Sequence, residues 1–215
     1  LQEVLAMKSM GLSQLDELAA DLFPHAIYSP TLTLDDGHGF TFGNGLLSRF
    51  AALEVQHDLL PNPMAHEARG LLSVLLDTPH GQLPVHVTHL DWQLDLSHAR
   101  CQQISFVVDR IRAFSAMAQG RSGADVLPAV LLGDFNAEAN SDELRFLRGL
   151  HALPSSIDGE PRAAFFNDPT EYLGTAALPT FSRHNAYAAI CREPNRRLDY
   201  VFVAPPDRKG RGEPL

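Results

Sequence analysis

With 215 residues, 45% of them hydrophobic and 20% charged, the chain carries enough apolar side chains for a sizeable core, which excludes a disordered or low-complexity polypeptide. A net charge of −9 gives no global attraction to nucleic acid or to an anionic membrane, although it leaves room for a local basic groove. No run approaches the roughly 18 apolar residues of a membrane span, and Cys101 and Cys191 form neither a CxxC pair nor a zinc-type cluster, with a single bridge between them left open.

The chain opens on Leu1-Gln2-Glu3-Val4, without an initiator Met and without a signal-peptide pattern, so it is expected to continue upstream in a longer protein, and the cytoplasm is only the default expectation for its localisation. Glu3 belongs to a short apolar segment, where an exposed strand-end acid is the plainest reading. Ser13 is placed to cap a helix carrying Leu15, Leu18, Ala19 and Leu22 at helical spacing, which Pro24 ends. Gly43-Asn44-Gly45, feeding Leu46-Leu47-Ser48, predicts a turn or bulge leading into a strand, with Asn44 tolerant of a left-handed backbone. Residues 54–67 are polar and proline-punctuated and read as a surface connection.

Arg69-Gly70 opens the strand Leu71 to Leu76, and the Asp77-Thr78-Pro79-His80-Gly81 turn leads to a second strand, Leu83 to Leu90. The pair predicts an antiparallel hairpin with a loop of about five to seven residues. His89 ends the second strand; His86, three positions earlier, points to the opposite face, so the two do not grip one metal. Ser97 or Asp95 is expected to cap a helix whose Ile104, Val107, Val108, Ile111 and Phe114 or Met117 form a packing stripe, with Arg100 and Gln103 on its first turns. Ala129-Val130-Leu131-Leu132 predicts a strand buried on both faces, with Gly133 allowing a sharp exit. Beyond it, Asp134 and Asn136 share a side of the backbone if the extended conformation persists; taken alone, an Asx-turn explains them better. Ser141 is a candidate cap for a short helix, and five prolines between His151 and Arg197 predict an irregular excursion. Arg197 to Val203 resumes a strand in which Asp199 shares its face with Val201 and Val203, so a buried carboxylate needing a partner is expected there. Strands and amphipathic helices interleave without a repeat or a boundary, which predicts one α/β domain over 1–215.

In order along the chain, Gln2-Glu3, Gly43 to Ser48, Thr88-His89-Leu90, Gly133-Asp134-Phe135-Asn136 and Arg197-Leu198-Asp199-Tyr200, with Arg100-x-x-Gln103 on the intervening helix, are five motifs and a helix signature covering nearly its whole length. Together they resemble the endonuclease/exonuclease/phosphatase superfamily of deoxyribonuclease I-like enzymes. The resemblance implies a four-layered α/β sandwich, two packed mixed β-sheets flanked by helices, and a metal-dependent hydrolase that cleaves phosphoester bonds, above all phosphodiesters, by in-line attack of an activated water. It implies Mg²⁺, with Mn²⁺ as a substitute, on Glu3; carboxylates with retained waters suit such hard cations. Asp134 would orient or deprotonate the water, Asn136 would hold it or a phosphate oxygen, and His89 would hydrogen-bond or protonate a phosphoryl oxygen. Asp199 would accept a hydrogen bond from an active-site histidine. Asn44, Arg69 and Arg100 are candidate substrate contacts, set against a turn asparagine and two ordinary surface arginines.

Two motifs of the family are missing, an asparagine on a strand before the glutamate and a Ser-Asp-His towards the C-terminus, so the domain is expected to be incomplete at both ends. The substrate is left among nucleic acid, phospholipid head groups and small phosphoesters, with acidity favouring the latter two or a single strand over duplex DNA. Oligomeric state is left open. A competing expectation is a non-catalytic binding or scaffold protein that keeps the fold.

Overall fold

The computed structural model describes the whole chain except residues 8, 10, 34–38, 64–66, 122, 124 and 215. Among the described residues the strands form two large sheets and one two-stranded piece. The first, in the order β2-β1-β4-β3, is antiparallel and contains β1 (Val4–Met7), β2 (Leu12–Ser13), β3 (His25–Thr33) and β4 (Phe40–Ser48). The second, in the order β11-β8-β7-β6-β5, is mixed and contains β5 (Ala52–Leu59), β6 (Gly70–Thr78), β7 (Gly81–His89), β8 (Val130–Asp134) and β11 (Asp199–Val203). Only β7 and β8 are parallel. A parallel pair needs a crossover, and α2 (Ser97–Gln119) supplies it.

The alternation of side chains sorts the layers. Leu72, Val74, Leu76, Val85 and Val87 of the second sheet meet Ile27 and Leu46 of the first between the sheets. The opposite face of the second sheet, including Leu131 and Phe202, is covered by Ile104, Val107, Val108 and Ile111 of α2 and by Leu144 and Leu147 of α3 (Asp142–Leu147). On the outer face of the first sheet, Leu15 of α1 (Gln14–Ala19) lies over Val4 and Gly45. The result is the four-layered α/β sandwich expected, helix on sheet on sheet on helix. Leu131 and Leu132 enter different clusters, so β8 does pack on both faces. Among the described residues no helix is long and apolar enough to cross a membrane, and Cys101 and Cys191 are both free thiols.

Several local expectations are corrected. Residues 54–59 are part of β5, and Asn44 lies in the middle of a continuous strand, not in a turn. The β6–β7 loop is only Pro79-His80, because the strands run on through Asp77, Thr78 and Gln82. Leu96, not Ser97 or Asp95, is the N-cap of α2; Ser141 is the N-cap residue of α3 as expected, although its hydroxyl donates to Glu138 O and accepts no helix N–H. Ser13 does cap α1, which stops at Ala19 and leaves Leu22 in water. The excursion holds only short pieces: β9 (Leu153–Pro154), β10 (Pro161–Arg162), α4 (Pro169–Tyr172) and α5 (Ala186–Ala189).

Gly133 is a residue of β8, not its exit. A Cβ there would meet Thr88 O of β7 at 1.9 Å, and its φ is +154°, so the close approach of β7 and β8 requires glycine.

Candidate active site

Strand register assembles the site. His89 of β7 stands opposite Asp134 of β8, and Asp134 stands opposite Asp199 of β11, so three residues far apart in sequence form one row across adjacent strand ends. Asn136 closes over the row. Its backbone leaves the extended region (φ +48°), its N–H donates to Asp134 Oδ1 at 2.8 Å, and its Nδ2 donates to Leu90 O at 3.0 Å and lies 3.1 Å from His89 Nε2. The segment is therefore an Asx-turn, and that turn is what brings the Asn136 side chain over His89 and Asp134.

Glu3 reaches the site from the first sheet. Leu1 and Gly45 exchange both backbone hydrogen bonds at 2.9 Å, while Val4 pairs with Gly43, so Gln2 and Glu3 together oppose the single residue Asn44. This is a bulge, and Glu3 sits in it at φ +53°, a conformation unfavourable for a glutamate and one that re-aims its side chain. Glu3 lines a cavity of about 330 Å³ with Phe42, Asn44, Arg69 and His89. Glu67 and Thr31 line it as well and were not picked out from the sequence: one lies in the presumed connection, the other in the unread strand β3.

Arg69 is buried, contrary to the surface reading. Its Nη1 lies 3.3 Å from His89 Nδ1 and its Nη2 donates to Glu67 Oε2 at 3.0 Å. A guanidinium can only donate, so Nδ1 accepts and the imidazole proton sits on Nε2, on the side of the Asp134 carboxylate (Nε2 to Oδ2, 3.9 Å); the Asn136 amide nitrogen, itself a donor, is bonded to Leu90 O and not to the ring. Burial, reinforced by the Arg69 charge, pushes His89 down to about 3, which keeps the ring neutral. Burial lifts the Asp134 carboxyl to about 6; the Asn136 N–H opposes this, while the charges of Asp199 and Glu3 reinforce it. His86 faces the other way, bonded to Ser73 Oγ at 2.8 Å and edge-on to Phe114, as its spacing predicted.

Asn44 is buried and donates from Nδ2 to Gly70 O (2.9 Å) and Val87 O (3.3 Å) of the facing sheet, so its amide hydrogens are committed to the seam between the sheets. The structure does not bring Arg100 to the cavity. It is buried in an ion pair with Glu143 (Nε to Oε1, 2.9 Å) and donates to the carbonyls of Asp91 and Gln93. Asp199 is half-buried on a face that also leaves Val201 49% exposed, so its expected burial is not found. Among the described residues no histidine bonds to Asp199, because β8 and Asp134 stand between it and His89.

A divalent cation can be tested on this donor set. No three or more His, Cys, Asp or Glu converge in a ready-made cage among the described residues. Mg²⁺ does not require one, since it keeps several waters and takes one or two carboxylates. Glu3 offers such a carboxylate on the cavity wall, and the Asp134 carboxyl, raised first by burial, also lies within reach of the Asp199 and Glu3 charges, with Arg69 opposing them. The residues fit a hard cation.

No protein-family model matches the chain. It is 29% identical over 173 residues to mouse sphingomyelin phosphodiesterase 5, an alignment covering 73% of this chain and 35% of that protein, so the chain spans about a third of the relative's length. Among solved structures, the human Nocturnin catalytic domain with bound sulfate superposes with a TM-score of 0.62 at 17% identity, covering 94% of this chain and 67% of that one. The endonuclease/exonuclease/phosphatase from Bacteroides vulgatus superposes with a TM-score of 0.55 at 17% identity, covering 84% and 64%.

Proposed function

We propose that this chain, which has the deoxyribonuclease I-like fold of the endonuclease/exonuclease/phosphatase superfamily, hydrolyses phosphoester bonds, with a phosphodiester as the substrate, at the cleft between Glu3 and the His89-Asp134-Asp199 row. The observation that carries the reading is the lateral register of those three residues with Asn136 folded over them. Asp134, ionised above pH about 6, accepts a proton from the attacking water and sets its direction; as the water oxygen bonds to phosphorus the ester P–O bond breaks, and the leaving oxygen takes its proton from solvent. The Asn136 side-chain oxygen accepts the water's other hydrogen. Neutral His89 offers its Nε2–H to a phosphoryl oxygen as a hydrogen bond, since at about 3 it has no proton to give as an acid. Arg69 adds positive charge behind His89, and Asp199 keeps Asp134 basic through its own charge. Mg²⁺ or Mn²⁺ held by Glu3 would supply charge that neutralises the phosphate oxygens as the transition state develops. Asn44 and Arg100 act by fixing the sheets and the Asp91–Gln93 turn.

Net acidity and the likeness to a sphingomyelin phosphodiesterase favour a phospholipid head group over duplex DNA. Hydrolysis of bis-p-nitrophenyl phosphate by the complete protein with Mg²⁺ or Mn²⁺ tests the reading. Turnover that falls away with chelator and with Asp134→Asn is expected; a protein that binds phosphoesters without turning them over would be the non-catalytic scaffold instead. A panel of sphingomyelin, inositol phosphates, abasic DNA and single strands then orders the substrates.

A further inference from the structure

Trp92 and Leu94 are 55% and 73% exposed, although the backbone that carries them is tightly held. Asp91 is buried; its N–H donates to Gln103 Oε1 at 3.0 Å and its Oδ1 accepts the Gln93 N–H at 3.1 Å. Arg100 Nη1 donates to Asp91 O at 3.3 Å and to Gln93 O at 2.6 Å, while its Nε is paired with the fully buried Glu143. Leu96 N–H closes the turn on Gln93 O at 3.1 Å. Burying an ion pair seldom stabilises a fold more than apolar packing would. Here it stiffens a surface turn whose two large apolar side chains face water.

The turn lies at the end of β7 that carries the site. Trp92 is three residues from His89, within about 11 Å even along a fully extended chain, and the intervening Leu90 carbonyl accepts the Asn136 amide. We propose that Trp92 and Leu94 form an interfacial anchor that seats the cleft on a zwitterionic lipid surface. This deepens the phosphoesterase reading and rests on it for its purpose. An indole with a polar N–H beside a fully apolar leucine matches the boundary between head groups and acyl chains. Stacking on nucleobases would use the indole but gives Leu94 no role. The exposed Asp95 on the same turn and the net charge of −9 oppose a polyphosphate strand or an anionic bilayer. Rigidity suits an anchor, because little side-chain and loop freedom is lost on docking.

Trp92 is the single tryptophan of these 215 residues, so once any tryptophan outside them is replaced by phenylalanine, fluorescence reads this turn alone. Phosphatidylcholine vesicles should shift its emission to the blue, and brominated phosphatidylcholine should quench it. Leu94→Glu should remove the shift and weaken vesicle co-sedimentation about tenfold or more, with an unchanged thermal melt showing that the fold is intact. An emission unmoved by vesicles, a shift that survives Leu94→Glu, or quenching by oligothymidylate in place of lipid would each overturn the anchor. Turnover of soluble bis-p-nitrophenyl phosphate tests the phosphoesterase reading separately: turnover without a shift sinks the anchor alone, and a shift without turnover sinks the hydrolase alone.

Discussion

Burial, with the charges of Asp199 and Glu3 adding, lifts the Asp134 carboxyl from 3.8 to about 6, and this has opposite consequences for folding and for the proposed chemistry. A folded-state value above the unfolded one means that proton binding favours the fold. That contribution is complete below pH about 4 and is lost as pH rises through about 6. In the metal-free protein near neutral pH, Asp134→Asn should therefore raise the stability by up to about 3 kcal/mol, and the gain should vanish in acid; melts in chelator across the acid range check this. The same change should cut turnover by about 10²–10⁴-fold. Because His89 stays neutral, the wild-type rate should rise through pH about 6 without a second limb from that ring. A descending limb that disappears in His89→Asn would contradict that assignment.

At the scale of strands, β7 and β8 approach so closely that Gly133→Ala would drive a methyl group into Thr88 O. The pair would have to separate, misaligning His89 and Asp134, so a loss of about 3 kcal/mol or more is expected in urea unfolding, together with loss of turnover. A variant of native stability would show the approach to be softer than the register implies. The interior strands β6, β7 and β8 were legible because strands flanked on both sides carry apolar runs, and the edge strand β11 because Leu198, Tyr200 and Phe202 alternate towards the core. The edge strands β3 and β5 were not: β3 contains Pro30 at a register shift, and β5 carries Glu54, Gln56, His57 and Asp58, residues that keep an edge from pairing with another chain. Within the site, His89, Asp134 and Asp199 were readable as polar strand ends. The Arg69–His89 contact and the commitment of Arg100 to Glu143, 43 positions away, depend on long-range packing that local spacing does not encode.

For the molecule as a whole, the cleft has two owners. Glu3 sits in the bulge just before β1 of the first sheet; His89, Asp134 and Asp199 belong to the second sheet and Asn136 to the turn that follows β8. The amide of Asn44 joins them through carbonyls on two strands of the facing sheet. Each sheet is held internally by its own ladders, whereas the contact between them is mainly side-chain packing. Mild urea should therefore abolish turnover before it reduces far-ultraviolet circular dichroism, and Asn44→Ala should widen the interval between the two midpoints. Coincident midpoints in both proteins would mean that the seam is as strong as the ladders. If the interval is present, the working range of the cleft is set by how long two intact sheets keep their alignment, and heat-inactivated protein that is still fully structured should regain activity on cooling without having to refold.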